Sequence, residues 1–419
     1  MKKNILPISL LIATTTIGIT SCGDNDINGS SEISVNEQKM AAAAKQYVNN
    51  TVYSTYANLA TETSNLYDKL RVLRDKFVTD PTIVTQSELD TVCETFKTAR
   101  TYYEASEAFL FGAATDFGID PHIDTWPLDA NGLATALSNK NQLAQLSTSD
   151  EDDNISYAAG KLGQELLGFH GIEFIIFRNG RNRTIADLQA NETDVAFTKI
   201  NAQVSGKEEL YYATAVAGDL RDRCWQMEVA WNAAAPSTHI KRMSNLDLPY
   251  TVNGGSLSYG ENMLKATEAG STYATWQEVM STIIISGCEN ICDEVANTKI
   301  GNPYSGEDEN YIESPYSHRS FVDFKDNILS IQYSLYGGYN LTNPSQNSIM
   351  AYIQNNDASQ AAALDADLKA AIAALDKCQN TLGSFVEHIN DPLVGKAQLA
   401  INKLDADLTK AGNWFATQK

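Results

Sequence analysis

Apolar residues recur at helical spacing along almost the whole chain. Leu66, Leu70, Leu73 and Phe77 step by four, three and four, drawing one stripe, while Asp68, Lys69 and Arg71 fall off it. Asp80-Pro81 closes that helix, because a residue before proline is pushed out of the helical region. Ser87 opens the next with a capping-box-like "SELD", and the pattern runs to about Gly112. "ISYAAGKLGQELLGFHGIEFIIF" predicts a third helix. The stretch from "TDVAFTKI" to "VAWNA" predicts a long fourth, broken near Gly206. Pro, Gly, Ser and Asn then crowd into "APSTHIKRMSNLDLPYTVNGGSLSYG", which places a boundary near residues 235–258. Helical spacing resumes over 259–298, 317–336, 344–355, 358–389 and 394–414. No long alternating pattern signals a strand, and no NG or DG turn is flanked by one; "VNGGSL" is the nearest hairpin candidate. The expectation is an all-α protein of two tandem helical bundles, residues 37–240 and 241–419.

The N-terminus departs from this pattern. Lys2 and Lys3 precede an apolar run from Ile5 to Thr20, too short and too Thr-rich for a good membrane span. The run ends in "ITSC", which resembles a bacterial lipobox with Cys22 as the lipidated residue. Residues 1–21 then read as a lipoprotein signal peptide and 22–36 as a flexible, acidic tether. Acidic residues directly behind the cysteine resemble the export signals of Bacteroidetes surface lipoproteins. The expected place is the outer membrane, held through lipid on Cys22 and facing the periplasm or the cell exterior.

A formal charge of -21 makes nucleic acid an unsuitable partner and cations a suitable one. After Cys22 the cysteines are Cys93, Cys224, Cys288, Cys292 and Cys378, an odd set too sparse for a disulfide framework. Cys288 and Cys292 share a helix face with no further cysteine or histidine nearby, so buried packing is expected rather than a zinc site. The chain is expected to be a monomer.

The candidate chemistry lies in "GFHGIEF". On a helix His170 and Glu173 project from one face a turn apart, workable spacing for two ligands of one metal. Gly168 and Gly171 flank the histidine at a cost of roughly 1 kcal/mol each, which calls for a close approach by another helix or a ligand. The alternative is a half-buried histidine paired with a nearby acid. HExxH and HxxEH are both absent, as are GxSxG and GxxxxGK[ST].

Three stretches, in order, resemble the imelysin-like family. Gly168, His170 and Glu173 match its GxHxxE motif. "ARTYYEASEAFLFG" followed by "IDTWPLD" is similar to its first-domain segment, with Arg100, Glu107 and the Trp126–Asp129 turn. "IESPYSHRSFVDFKDN" stands where the family carries a Ser-rich stretch ending in Asp-Asn, although many members read more like "CFSDNT". The resemblance spans about residues 40–400. It implies two helical bundles with the motif in a cleft where they meet, and a periplasmic or surface role tied to iron uptake. It also carries a metallopeptidase classification, for which this chain shows no complete zinc motif.

With that resemblance, His170, Glu173 and Glu107 are the candidate metal ligands. Iron is the candidate metal and zinc the lesser one, since carboxylate and imidazole suit a hard cation. Gly168, Arg100, Trp126, Asp129, Glu313, Ser317, Ser320 and Asp323 are the candidate cleft or ligand-binding residues. Ser317 could cap the helix that follows it, and a helix start aimed into a cleft would favour an iron–anion complex. Arg100 and Glu107 would otherwise be a salt bridge. Three roles stand: an iron-binding lipoprotein serving a transport system, a metal-dependent peptidase, and a surface module for a non-metal ligand.

Overall fold

The computed structural model describes residues 34–418; the expected signal peptide, Cys22 and most of the tether lie outside the described residues. Helix α1 (Val35–Gln46) runs through one π-wound segment, Tyr47–Val52, into α2 (Tyr53–Thr79). The expected stripe is the buried face of α2: Leu66, Leu70, Leu73 and Phe77 are at most 5 % exposed. Each such side chain contributes about 1.5–3 kcal/mol by leaving water. Asp80 ends α2 in an extended conformation before Pro81, as the sequence requires.

Helix α3 (Gln86–Glu104) differs from expectation at both ends. Its capping box is Thr85 with Glu88, not "SELD": Glu88 Oε2 accepts the Thr85 N–H at 2.9 Å. It stops at Glu104 rather than near Gly112, and Glu107–Phe109 forms a separate 3-10 turn. The expected third helix is also divided. It breaks at Leu162–Gly163, and α4 (Gly168–Ile176) stands alone as a nine-residue helix.

A two-stranded hairpin follows directly, β1 (Phe177–Arg178) antiparallel to β2 (Arg181–Asn182). Its turn is Asn179-Gly180, both with positive φ (50° and 74°), the NG chemistry that two-residue hairpins favour. The strands are too short to alternate, so the sequence pattern missed them. "VNGGSL" instead carries a 3-10 turn, Val252–Gly254.

Helix α5 (Gly206–Trp231) starts at the expected break and is buried along most of its length against α2 and α4. The second half holds α6 (Trp276–Ser281), α7 (Ser320–Tyr336), α8 (Ala358–Leu382) and α9 (Pro392–Ala416). Past α6 the helix continues to Lys299, but Thr282–Glu289 and Glu294–Lys299 are π-wound. A π turn rotates the faces that follow it, and such turns concentrate at functional sites.

The two halves are tied in several places. Helix α1 packs on α6, and Gln46 Nε2 donates to Gly337 O at 2.7 Å. Thr51 Oγ1 donates to Tyr333 O at 2.9 Å. Gly287, in the first π segment, lies where any Cβ would overlap Ala108 O, so glycine lets this segment touch the 107–109 turn. The five described cysteines are free and buried, as expected for packing. No helix among the described residues is long and apolar enough to cross a membrane.

Candidate metal centre

The nine residues of α4 are all buried. Gly168 has φ 67°, and a Cβ there would overlap the Ile123 carbonyl. The close approach predicted from the glycines is therefore real, and the backbone of the Ile123–Asp124 segment makes it. Gly171 accommodates the Tyr212 hydroxyl, which donates to Leu166 O. These two absent side chains let α4 sink until His170 meets Asp124.

His170 Nδ1 lies 3.2 Å from Glu173 Oε2. Its Nε2 lies 3.3 Å from Asp124 Oδ1, off the line that a hydrogen bond needs, and has no hydrogen-bond partner. Glu173 is heavily engaged on its other oxygen. Oε1 accepts the amides of Tyr316 and Ser317, at 3.1 and 2.8 Å, and the Ser317 hydroxyl at 2.7 Å. This corrects two expectations. Ser317 does not cap α7, since the cap position is Arg319, which makes no side-chain cap bond. The amides that could have cradled an external anion are filled by the protein's own carboxylate. Ser320 is the first residue of α7, and its hydroxyl donates to Glu313 O at 2.5 Å.

Beside this pair, Arg100 is fully buried among acids. It pairs with Glu104 and Asp124, with Glu313 at 2.7 Å and with Asp323 at 3.7 Å. Lys299, delivered by the second π segment, reaches Glu313 at 3.1 Å, Glu107 at 3.8 Å and Glu104 at 3.9 Å. Asn327 Nδ2 donates to Glu104 Oε2 at 2.5 Å, and Ser314 Oγ donates to Asp323 Oδ2 at the same distance. Arg100 and Glu107 do not pair with each other, because α3 ends between them.

Sequence reasoning missed Glu104, Asp124, Lys299 and Asn327. Glu104 carries a local signal, one helical turn beyond Arg100. Asp124 stands in "IDTWPLD" two residues before the tryptophan that was singled out. Lys299 has no signal, because only the π winding turns it inward.

The network has a charge surplus. Six buried carboxylates (Glu104, Glu107, Asp124, Glu173, Glu313 and Asp323) surround Arg100, Lys299 and His170. Counting Arg319, which reaches Asp323 from the rim at 3.3 Å, and a protonated His170, acids still outnumber bases by two. Burial pushes the carboxyls of Glu104 and Glu107 well above the usual range. Burial opposes ionisation of Glu173 too, but His170 and Ser317 outweigh it and hold Glu173 below its usual range. For His170, burial acts to lower the pKa, yet the nearby carboxylates of Asp124 and Glu173 prevail and raise it to about 9.

A cavity of about 570 Å³ opens onto the network between the Glu107–Trp126 segment and the Ile285–Lys299 segment. Glu107, Asp120, Asp124, Glu289 and Glu294 line it, with Lys299. Trp126 forms part of its wall and packs on Tyr311 at 4.1 Å between ring centroids. Asp129 does not join the site: it caps the helix Ala130–Ser138, accepting the Gly132 N–H at 2.9 Å.

Donor atoms of Asp124, His170 and Glu313 all lie within 4.8 Å of one another, and so do those of Glu104, Glu107 and Asp124. Imidazole with carboxylates is a chemically sensible set for iron or zinc. The unpartnered, buried His170 Nε2 and Glu313 Oε2 fit an ion as well. Carboxylates and one imidazole would bind such an ion; nothing else in the arrangement is needed to hold it.

Known proteins similar to this chain share its fold. The family model described as Imelysin (Peptidase_M75) matches residues 52–411. Iron-regulated protein A of Synechococcus elongatus is 24 % identical over 329 residues, covering 78 % of this chain and 73 % of that protein. A crystal structure from Parabacteroides distasonis, described provisionally as an iron-regulated protein A precursor, superposes with a TM-score of 0.69 at 23 % identity, covering 92 % and 97 % of the two chains. An imelysin-like protein of Psychrobacter arcticum gives a TM-score of 0.52 at 14 % identity, covering 92 % and 96 %. The all-α fold is common to these structures, and the chain belongs to the imelysin family.

Proposed function

We propose that this protein binds a metal cation, iron before zinc, in the acidic cleft, and that it does so as a cell-envelope lipoprotein serving iron uptake. The observation that carries the reading is the surplus of buried carboxylate around a histidine whose Nε2 makes no hydrogen bond and faces Asp124 at 3.3 Å. An uncompensated buried charge is expensive, and a multivalent cation removes that cost where protonation would otherwise have to. The names of the relatives, iron-regulated protein A, favour iron. In this reading the two bundles, 37–240 and 241–419, close on the cation, and lipid on Cys22 holds the chain at the outer membrane. The filled anion cradle at Glu173 favours a free cation over a ferric–carboxylate complex.

Metal-dependent peptide hydrolysis is the second reading, and the family's name supports it. Against it, the histidines outside the motif that the structure pairs are engaged elsewhere: His122 with Asp219, His239 with Glu228 and His318 with Ser384.

Calorimetric titration of the purified chain with ferrous, ferric-citrate and zinc ions tests the proposal, alongside His170→Ala. The expected result is ferrous binding that the variant abolishes, with ferric citrate much weaker. Binding that survives His170→Ala, or no binding of any ion, refutes it; the latter sends the cleft to screening for organic ligands.

A further inference from the structure

We infer that the ion is held by Asp124, by His170 through Nε2 and by Glu313, and that Glu173 positions the imidazole without touching the ion. The inference rests on the cation reading above and names its ligands. It departs from the sequence expectation, which took the histidine and the glutamate of one motif as joint ligands.

The first argument is the occupancy of Glu173. Its Oε1 accepts three donors from Tyr316 and Ser317, and its Oε2 faces His170 Nδ1. A carboxylate so engaged has little left for a metal. In the loaded site Nδ1–H would hydrogen-bond to Glu173, which fixes the tautomer and gives the Nε2 lone pair to the ion once its proton is displaced, a common arrangement behind metal-bound histidines.

The second argument is what Nε2 faces. It has no hydrogen-bond partner, although His170 is only 1 % exposed. Glu313 is fully buried, and its Oε2 is equally unpartnered. Leaving such buried atoms without a hydrogen bond is costly. With an oxygen of Asp124, these groups come within 4.8 Å of one another. Arg100 takes Glu313 through Oε1 and leaves Oε2 without a hydrogen bond, but it meets Asp124 at Oδ1, the oxygen that also lies 3.3 Å from His170 Nε2. It holds the two carboxylates together beside the imidazole.

The third argument is access. Asp124 belongs both to this group and to the wall of the cavity, whereas His170 does not line the cavity. Asp124 is therefore the step between open solvent and the buried imidazole. The other acidic group, Glu104, Glu107 and Asp124, is the weaker candidate. It holds no imidazole, and Lys299 supplies positive charge beside acids of both groups, so the histidine is what tells them apart.

The test is a crystal structure of the wild-type chain loaded with cobalt(II), its position read from anomalous scattering. Cobalt titrations of Asp124→Asn, Glu313→Gln and Glu173→Gln, followed by visible absorption, accompany it. The expected anomalous peak touches Asp124, His170 Nε2 and Glu313. Asp124→Asn and Glu313→Gln should change the visible bands of the loaded protein. Glu173→Gln should weaken binding about 10-fold, as loss of an orienting partner does, and leave the bands in place. A peak in contact with Glu173, or on Glu104 and Glu107, overturns the inference while leaving cation binding intact. Bands that move in Glu173→Gln but not in Glu313→Gln overturn it as well. The wild-type peak decides even if a variant fails to fold, and a chain that takes up no cobalt overturns the cation reading together with this one.

Discussion

Two buried ionic networks flank α4, and they are built on opposite stoichiometry. At the C-terminal end, around the hairpin, Arg183 donates to Glu209 at 2.8 Å and to Ile175 O at 3.1 Å. Arg178 and Arg183 both reach Glu192 Oε2, at 2.9 and 3.2 Å, while Glu192 Oε1 accepts the Thr193 and Asp194 amides. Two arginines meet two buried glutamates, with Asp194 reaching Arg178 from the half-buried rim at 3.6 Å. At the N-terminal end, carboxylates outnumber cations. Cavity size does not tell the two apart, because the larger cavity, about 660 Å³, lies beside the balanced network. Unpaired atoms do not separate them alone either, since Arg178 Nη1 and Glu209 Oε2 also lack partners. Charge balance separates them. A balanced network holds backbone in place; an acidic surplus beside an open cavity awaits a cation.

The largest expected effect breaks the balanced side. Arg183→Met leaves Glu209 buried without its counter-ion and Glu192 with Arg178 alone, and should cost about 3–5 kcal/mol in urea unfolding. Cation affinity should not change. A parallel loss of cation binding would show the two networks to be one.

A smaller effect sharpens the acidic side through pH. Without a cation, His170 titrates near pH 9 in the folded chain against 6.5 ordinarily. A raised pKa means that the protonated form is favoured by folding. Its stabilisation is therefore complete below about pH 6.5 and fades as pH rises through about 9. His170→Gln should destabilise the cation-free chain most at about pH 6, and the gap should close towards about pH 10. A gap that widens with pH would contradict the assignment. Cation binding should run the other way, strengthening as pH rises, because the ion must displace that proton.

The smallest effect concerns a residue that the sequence placed in the site and the structure did not. Asp129→Ala removes a helix cap and should cost about 1 kcal/mol in thermal or urea unfolding. Cobalt binding should be unchanged; a loss would return Asp129 to the site.

Local features of the site were legible because their signals are local. The two glycines around His170 announced a close approach, and Ile123 and Tyr212 provide it. Arg100, Glu313 and Asp323 are cleft candidates through the family resemblance, and the structure brings both acids to Arg100. Partner choice was not legible. Glu173 could be read as a ligand until the Tyr316 and Ser317 amides, some 140 residues away, were seen to occupy it. Arg100 and Glu107 looked like one helical face until α3 was seen to stop at Glu104.

The sequence by itself determined the helical class, the buried stripes and the GxHxxE helix. Periodicity, caps and glycine placement act over a few residues and need no distant partner. Only the tertiary structure decided which carboxylate orients His170 and which ones face its free nitrogen. Pairing of buried charges depends on burial and distance between segments far apart in the chain, and the π-wound turns that bring Lys299 and Glu294 to the cleft leave no periodic mark in the residues themselves.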